Sequence, residues 1–144
     1  MRYSDLDRLI SGKNFIIAVD FDDTLVETTE YPYFGQTTEM FHKLLHIQKE
    51  FPNTQFILYT CREGKELDAA VNFLETNGFR IDAVNTDVES TLKWKGPGRK
   101  PFAHIYIDDR AYESVRNFVT EAFDDILESQ KPREYAEKIQ AECL

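Results

Sequence analysis

Three carboxylates follow a single apolar stretch of the sequence. Phe15–Val19 is an uninterrupted run of aromatic, β-branched and other apolar residues, and Asp20, Asp22 and Asp23 come directly after it. Such a run is typical of a strand buried on both faces of a parallel sheet. Ligands of open parallel sheets bind at the carboxyl ends of the strands. Negative charges repel one another there unless a cation or a proton is present, so this pattern indicates chemistry.

Two later apolar runs also end in polar groups. One ends in Thr60, the other is followed by Asp108 and Asp109, and Lys100 lies just before the second run. Each of these residues alone is most often a cap, a turn residue or a surface residue. Together they fall at one edge of a parallel sheet, and a single reaction uses all of them.

That reaction is phosphoryl transfer through an aspartyl phosphate. The carboxylate nucleophile must be ionised and close to phosphorus, and a hard dication such as Mg²⁺, bound by oxygen ligands, shields it. We expect Asp20, Asp108 and a main-chain carbonyl to supply those ligands. Thr60 would hydrogen-bond a phosphate oxygen, and Lys100 would neutralise the charge shared by nucleophile and phosphate. Asp22 would protonate the leaving oxygen and later deprotonate water, which requires a pKa raised by the neighbouring carboxylates.

Strands alternate with helices along the chain, which favours βαβ units and a parallel sheet. Strands are predicted over residues 14–20, 55–60, 79–84 and 103–107. Helices are predicted over residues 4–10, from Thr37 or Thr38 to residue 50, and over 64–76, 112–128 and 132–141, with loops at 21–36 and 85–99. We expect one domain over residues 1–144, with its core at 14–128 and a helical extension at 131–144.

The amino-acid composition and net charge indicate which class of ligand we expect the chain to bind. The 144 residues suit one domain, and a hydrophobic fraction of 42% is that of a globular protein. The formal net charge of -9 favours a small phosphorylated ligand over nucleic acid. A local basic cluster is equally consistent with a solvated loop; it comprises Lys93, Lys95, Arg99 and Lys100.

The cysteine spacing and the lengths of the apolar runs indicate the cellular compartment that we expect. No apolar run approaches the roughly 18 residues of a membrane span, and the N-terminus lacks a signal-peptide pattern. Cys61 and Cys143 have neither metal-binding nor redox spacing. We therefore expect a reduced, cytoplasmic protein without a membrane partner, in which Cys61 is buried and inert.

The polar strand ends carry a family resemblance. Residues 20–25, DFDDTL, resemble the DxDx[TV] first motif of the haloacid dehalogenase (HAD) superfamily. Residues 57–60, ILYT, are similar to its second motif, Lys100-Pro101 to its third, and residues 105–109, IYIDD, to its fourth. The motifs keep the family's order over residues 15–110, about two-thirds of the chain.

The resemblance implies a fold and roles for site residues. The fold would be α/β and Rossmann-like, with three α/β/α layers and strand order 3-2-1-4. Asp20 would be the nucleophile and Asp22 the general acid/base. Asp20, the main chain of Asp22, and Asp108 would hold Mg²⁺, with Asp109 and Thr24 in support.

It also implies a small, capless HAD member. The family's flap would be residues 24–37, and neither the flap nor the stretch after the third strand has room for a folded cap. We expect an open site, covered either by a second copy of the chain or by a large substrate. The active-site lysine would be Lys100, with Lys93 and Lys95 as alternatives.

The expected activity is a Mg²⁺-dependent phosphatase of a phosphomonoester. Two alternatives are a phospho-accepting signalling domain and a catalytically inactive HAD-like binding protein. Arg62 would contact a second anionic group of the substrate or form a salt bridge. Tyr31 would close over the substrate or pack the flap. Asp23 would be a turn residue that faces away.

Overall fold

Strand β1 (Phe15–Val19) lies inside a parallel sheet and is buried along its whole length. The structure is a computed structural model that describes residues 3–96 and 98–110. Over these residues the sheet has four strands, with β2 (Thr54–Leu58), β3 (Ala83–Val84) and β4 (Ile105–Ile107) in the order β3-β2-β1-β4. The predicted α/β fold with strand order 3-2-1-4 is confirmed.

The register of β1 brings three strand ends together. Val19 is paired with Leu58 of β2 and with Ile107 of β4. The residues that follow these three positions therefore emerge side by side at the carboxyl edge of the sheet. This is the physical reason why polar groups from distant parts of the chain meet there.

Alternating side chains of β1 face two separate apolar clusters. Phe15, Ile17 and Val19 belong to the larger cluster, and Ile16 and Ala18 belong to the smaller one. Because both faces are covered, the strand needs apolar residues at every position.

Helices cover both faces of the sheet. The described part of the chain contains α1 (Tyr3–Ile10), α2 (Glu39–Glu50), α3 (Gly64–Thr76) and α4 (Glu89–Lys95). The first three contribute to the larger cluster through Leu9, Phe41, Leu44, Ile47, Ala70 and Leu74. Val88, which caps α4, belongs to the smaller cluster on the other face.

Thr38, rather than Thr37, caps helix α2. Its hydroxyl oxygen accepts the N–H of Phe41 at 3.3 Å, which satisfies one of the donors left unpaired in the first helical turn. The hydroxyl also donates to the carbonyl of Thr24 at 2.5 Å. The cap thus ties the start of α2 to the segment that follows β1.

The prediction of a loop over residues 85–99 is wrong where the structure forms helix α4. The buried carboxylate of Asp87 accepts the N–H of Phe102 at 2.6 Å and the Lys95 ammonium at 3.0 Å. These contacts hold both ends of a helix that is too short and polar to show an apolar period. Gly96 ends it with a positive φ of 76°, which glycine adopts more readily than other residues.

The third strand is shorter than the predicted 79–84. Asp82 Oδ2 accepts the N–H of Phe56 at 2.8 Å, where a longer strand would offer a main-chain carbonyl. Phe79 lies before the strand, and its ring packs against Phe41 and Phe56. The N–H of Asp82 donates to the carbonyl of Phe56 at 2.9 Å, but regular pairing with β2 begins only at Ala83.

Several predictions fall on other parts of the chain. The predicted helices at 112–128 and 132–141, and with them the end of the core and the extension, lie outside the described residues. Among the residues that are described, no helix has both the length and the apolar character needed to cross a membrane.

Candidate active site

A cleft of about 710 Å³ opens at the carboxyl edge of the sheet. Its described lining includes five carboxylates and two arginines; the carboxylates are Asp20, Asp22, Asp23, Asp108 and Asp109, and the arginines are Arg62 and Arg110. The strand ends of β1, β2 and β4 supply most of this lining. The sequence predicted that Asp20, Asp22, Asp108 and Asp109 share one edge, and all four line the cleft.

Three of the carboxylates form a tight cluster. One oxygen from each of Asp20, Asp108 and Asp109 lies within 4.8 Å of the other two. The N–H of Asp20 donates to the carbonyl of Ile107 at 3.0 Å, which fixes β1 beside the end of β4. The N–H of Asp109 donates to the hydroxyl of buried Thr24 at 2.9 Å. Thr24 therefore holds the backbone of Asp109 at the end of β4.

The cluster changes how its members bind protons. Burial raises the pKa of Asp20 to about 7, and the charges of Asp108 and Asp109 add to the shift, against a hydrogen bond from the N–H of Phe21. Burial also raises the pKa of Asp109, helped by its contact with Asp108. Carboxylates this close are unfavourable as anions without a counter-charge. An all-oxygen donor set of this kind fits a hard dication such as Mg²⁺.

Asp22 is in a different environment. Its Oδ2 accepts a 2.7 Å hydrogen bond from Nε of Arg62, and its Oδ1 accepts one of 2.7 Å from Nη2. The hydroxyl of Thr28 also donates to Oδ1, at 2.7 Å. Although burial acts to raise it, these hydrogen bonds and the Arg62 charge hold the pKa of Asp22 below its usual value. The expected raised pKa of Asp22 is therefore wrong, because a guanidinium faces the carboxylate.

Arg62 is buried, with 1% of its surface exposed. Beyond Asp22, it donates to the carbonyl of Pro32 at 2.9 Å and to that of Glu66 at 3.2 Å. Three aromatic rings surround its guanidinium at 4.9–5.4 Å; they belong to Phe21, Tyr31 and Phe34. Of the two alternatives for Arg62, the structure shows the salt bridge.

Thr60 lies in the cleft as predicted. Its Oγ accepts the N–H of Arg62 at 3.1 Å, so the hydroxyl hydrogen is not used by that bond and can donate to an anion. The side chain of Asn85 holds the Thr60 backbone, donating to its carbonyl at 3.0 Å and accepting its N–H at 2.8 Å. Asn85 has a positive φ of 52°, which asparagine tolerates better than most residues.

Lys100 does not line the cleft. Its ammonium lies 4.5 Å from the centre of the Tyr106 ring, on the strand face opposite to Ile105 and Ile107. The alternatives are also placed elsewhere, since Lys95 pairs with Asp87 at 3.0 Å and Lys93 with Glu89 at 3.8 Å. The prediction of Lys100 as a site residue is therefore corrected, because the loop before β4 directs it to another face.

The flap forms a small antiparallel hairpin. Bridges join Val26 with Thr37 and Glu30 with Tyr33. The ring of Phe34 packs edge-on against Phe21 and Phe73, both at 5.0 Å. Phe34 therefore packs the flap onto the core.

Three cleft residues have roles that the sequence left open or misjudged. Tyr31 lines the cleft and is 58% exposed, while its ring also contacts Arg62. Asp23 is a turn residue with φ of 58°, but it lines the cleft and accepts the N–H of Thr28 at 3.0 Å. Cys61 is exposed in the cleft, contrary to the expected burial, because it follows a strand end rather than lying inside a strand.

Comparison with solved structures identifies a relative. A conserved protein from Bacteroides thetaiotaomicron is 32% identical to this chain, with a TM-score of 0.61. The match covers 82% of this chain and 100% of that protein. The chain belongs to the family of this conserved Bacteroides protein. No family model matches the chain, and no curated protein does.

Asn85 and Tyr59 of this chain belong to the site but were not identified from the sequence. Asn85 lies 25 positions from Thr60, and no periodic pattern links the two. Tyr59 lines the cleft and is 41% exposed, although it directly follows the buried Leu58. Its position in an apolar stretch indicated only a strand residue.

Proposed function

We propose that the chain is a Mg²⁺-dependent phosphatase that hydrolyses a small phosphomonoester through an aspartyl phosphate on Asp20. The proposal keeps the HAD-like interpretation of the motifs. The observation that carries it is the cluster of Asp20, Asp108 and Asp109, whose oxygens lie within 4.8 Å of one another beside Thr60 in one cleft. Such a cluster of acids costs stability unless a cation or a proton offsets the repulsion, which supports a functional role for it.

The donor set is suited to magnesium. Asp20, Asp108 and Asp109 would hold the ion, together with the main chain of Asp22 as the motif resemblance implies. When bound, Mg²⁺ would supply a positive charge that shields the nucleophile from the phosphate. Asp109 joins the ligand set here because one of its oxygens also lies within 4.8 Å of those of Asp20 and Asp108.

The side chains divide the reaction between them. An ionised oxygen of Asp20 attacks phosphorus, and the bond from phosphorus to the ester oxygen breaks. Water then attacks phosphorus, the bond to Asp20 breaks, and inorganic phosphate leaves. The leaving oxygen takes its proton from solvent in the open cleft. Asp22, which Arg62 holds ionised, accepts a proton from the attacking water and returns it to solvent. Thr60 donates a hydrogen bond to a phosphate oxygen.

A phosphate-release assay tests the proposal. The wild-type chain should hydrolyse p-nitrophenyl phosphate in Mg²⁺ and stop when the metal is chelated, and Asp20→Asn should abolish turnover. Asp68→Asn, an equal change of charge at an exposed position of α3, is the matched control. A folded, metal-bound Asp20→Asn variant with full activity would overturn the nucleophile assignment.

The same assay separates the alternatives. A chain that becomes phosphorylated and loses the label over minutes, without turnover of substrate, would be a signalling domain. A chain that binds no Mg²⁺ in a calorimetric titration would be an inactive binding protein.

A further inference from the structure

Three exposed tyrosines lie in the cleft or in a groove beside it. In the described residues, the large hydrophobic side chains left exposed are Tyr31 at 58%, Tyr33 at 74%, Tyr59 at 41% and Trp94 at 69%. Tyr31 and Tyr59 line the cleft, and Tyr33 lines an adjoining groove of about 330 Å³ that shares Arg62 with it. Exposed apolar surface of this kind commonly marks a contact surface.

The backbone of Tyr59 is fixed close to the proposed nucleophile. Its N–H donates to the carbonyl of Val19 at 2.9 Å, one residue before Asp20. It also directly precedes Thr60, whose hydroxyl is available to a phosphate. The Tyr59 ring is thus attached to a rigid strand end, while Tyr31 extends from the flap and lines the same cleft.

The charge of the cleft limits the size of the anion. Five carboxylates face two arginines among the described lining residues, and Arg62 is already paired with Asp22. Even with a dication present, such a cleft has no positive excess that would attract several phosphates. A ligand with one phosphate fits better than a polyphosphate or a nucleic-acid chain, in keeping with the net charge of -9.

We propose that the leaving group of the substrate carries a planar ring that stacks on Tyr59 and Tyr31. This inference rests on the proposed phosphatase function. A nucleoside monophosphate and a small aryl phosphate such as phosphotyrosine share this chemistry. The cleft volume of about 710 Å³ leaves room for either beside the phosphate.

The inference is tested with two pairs of ligands, in which one member carries a planar ring and the other lacks it. Adenosine monophosphate is compared with ribose 5-phosphate, and phosphotyrosine with phosphoserine. Binding to the full chain carrying Asp20→Asn is measured by calorimetry with Mg²⁺, so the result does not depend on turnover. At least one ring-bearing ligand should bind about tenfold tighter than its ringless partner. Equal affinities within both pairs would overturn the inference.

Variants of Tyr59 test whether the Tyr59 ring causes this difference in affinity. Tyr59→Ala should remove most of the roughly tenfold advantage, whereas Tyr59→Phe should keep it because the stacking face remains. Trp94→Ala, at an exposed aromatic that does not line the cleft, should change nothing. An advantage that survives Tyr59→Ala intact would contradict the inference.

The two proposals fail in different ways. If the wild-type chain releases no phosphate from any compound but the ring preference in binding persists, the phosphatase proposal fails and the ring-binding cleft stands. If phosphate is released from all four compounds without any preference in binding, the phosphatase proposal stands and the ring inference fails.

Discussion

Arg62 donates two hydrogen bonds of 2.7 Å to the two carboxylate oxygens of Asp22, a residue 40 positions away in the sequence. The same guanidinium bonds to Pro32 in the flap and to Glu66 in α3. One buried side chain thus fixes the second carboxylate of the cleft, the flap and the start of a helix relative to one another.

Replacing Arg62 by lysine should damage both activity and stability. An ammonium cannot reproduce the planar fork that binds two carboxylate oxygens. We expect kcat to fall at least tenfold with a smaller change in KM, and stability to fall by about 2 kcal/mol. Steady-state kinetics and urea unfolding measure the two effects. Arg99→Lys, at an exposed position, is the control, and an unchanged kcat in Arg62→Lys would contradict the positioning role.

Metal binding should stabilise the chain through the acidic cluster. Without a cation, the carboxylates of Asp20, Asp108 and Asp109 repel one another, so Asp108→Asn should raise the melting temperature in EDTA. In the wild type, Mg²⁺ at a hundredfold excess over its Kd should add about 2.7 kcal/mol.

Asp108→Asn should lose most of that Mg²⁺-dependent gain. Thermal unfolding with and without the metal measures it, and Asp68→Asn should respond like the wild type. A full Mg²⁺ response in Asp108→Asn would show that this carboxylate is not a ligand.

Arg110 and Lys100 should differ in their importance for activity. Arg110 lines the cleft, whereas the Lys100 ammonium lies over the Tyr106 ring. Lys100→Ala should leave kcat/KM within about twofold and cost roughly 0.5–1 kcal/mol of stability through the lost cation–π contact. Arg110→Ala should lower kcat/KM about tenfold or more, because it removes a cation that can meet the phosphate. The reverse order of effects would restore the lysine predicted from the motif.

His104 should make stability depend on pH. Its Nδ1 accepts the N–H of Ile16 at 2.9 Å, which requires the unprotonated nitrogen. Burial, together with the charge of Arg8, lowers the pKa of His104. The unfolded chain, with an ordinary histidine pKa of about 6.5, therefore binds the proton first as pH falls. The contribution of His104 to stability should be full above that value and should decrease below it, toward the lower folded pKa.

Urea unfolding between about pH 5 and 8 measures this slope. Asp20, whose pKa burial raises to about 7, makes an opposite contribution in this range, so the difference between wild type and variant isolates His104. His104→Asn keeps an acceptor that does not titrate, and the wild type should lose stability relative to this variant as pH falls below about 6.5. A difference in stability that stays constant from about pH 5 to 8 would contradict the role of His104.

The fold was predictable because its strands are apolar where they are buried. Phe15–Val19 has no polar interruption, and the turn residues and acids after it mark the strand end. A parallel sheet then places Asp20 beside Asp108 without further information. The third strand was overestimated because apolar residues before Ala83 pack in the core rather than pair in the sheet.

The rest of the cleft depends on contacts between distant segments. Nothing near Arg62 in the sequence indicates that it bonds to Asp22, since the flap and α3 together set that geometry. Helix α4 is too short for an apolar period, and its ends are held by Asp87. Lys100 was misplaced because the path of the loop before β4 is set by tertiary contacts, including the Phe102 N–H that Asp87 accepts.

The central claim is that Asp20 becomes phosphorylated during turnover. The wild-type chain is mixed with p-nitrophenyl phosphate and Mg²⁺, quenched in acid within a single turnover, digested and analysed by mass spectrometry. The account predicts one added phosphoryl group on the peptide that contains Asp20, absent from Asp20→Asn. Phosphate release with no phosphoryl group on that peptide at any time point would contradict it.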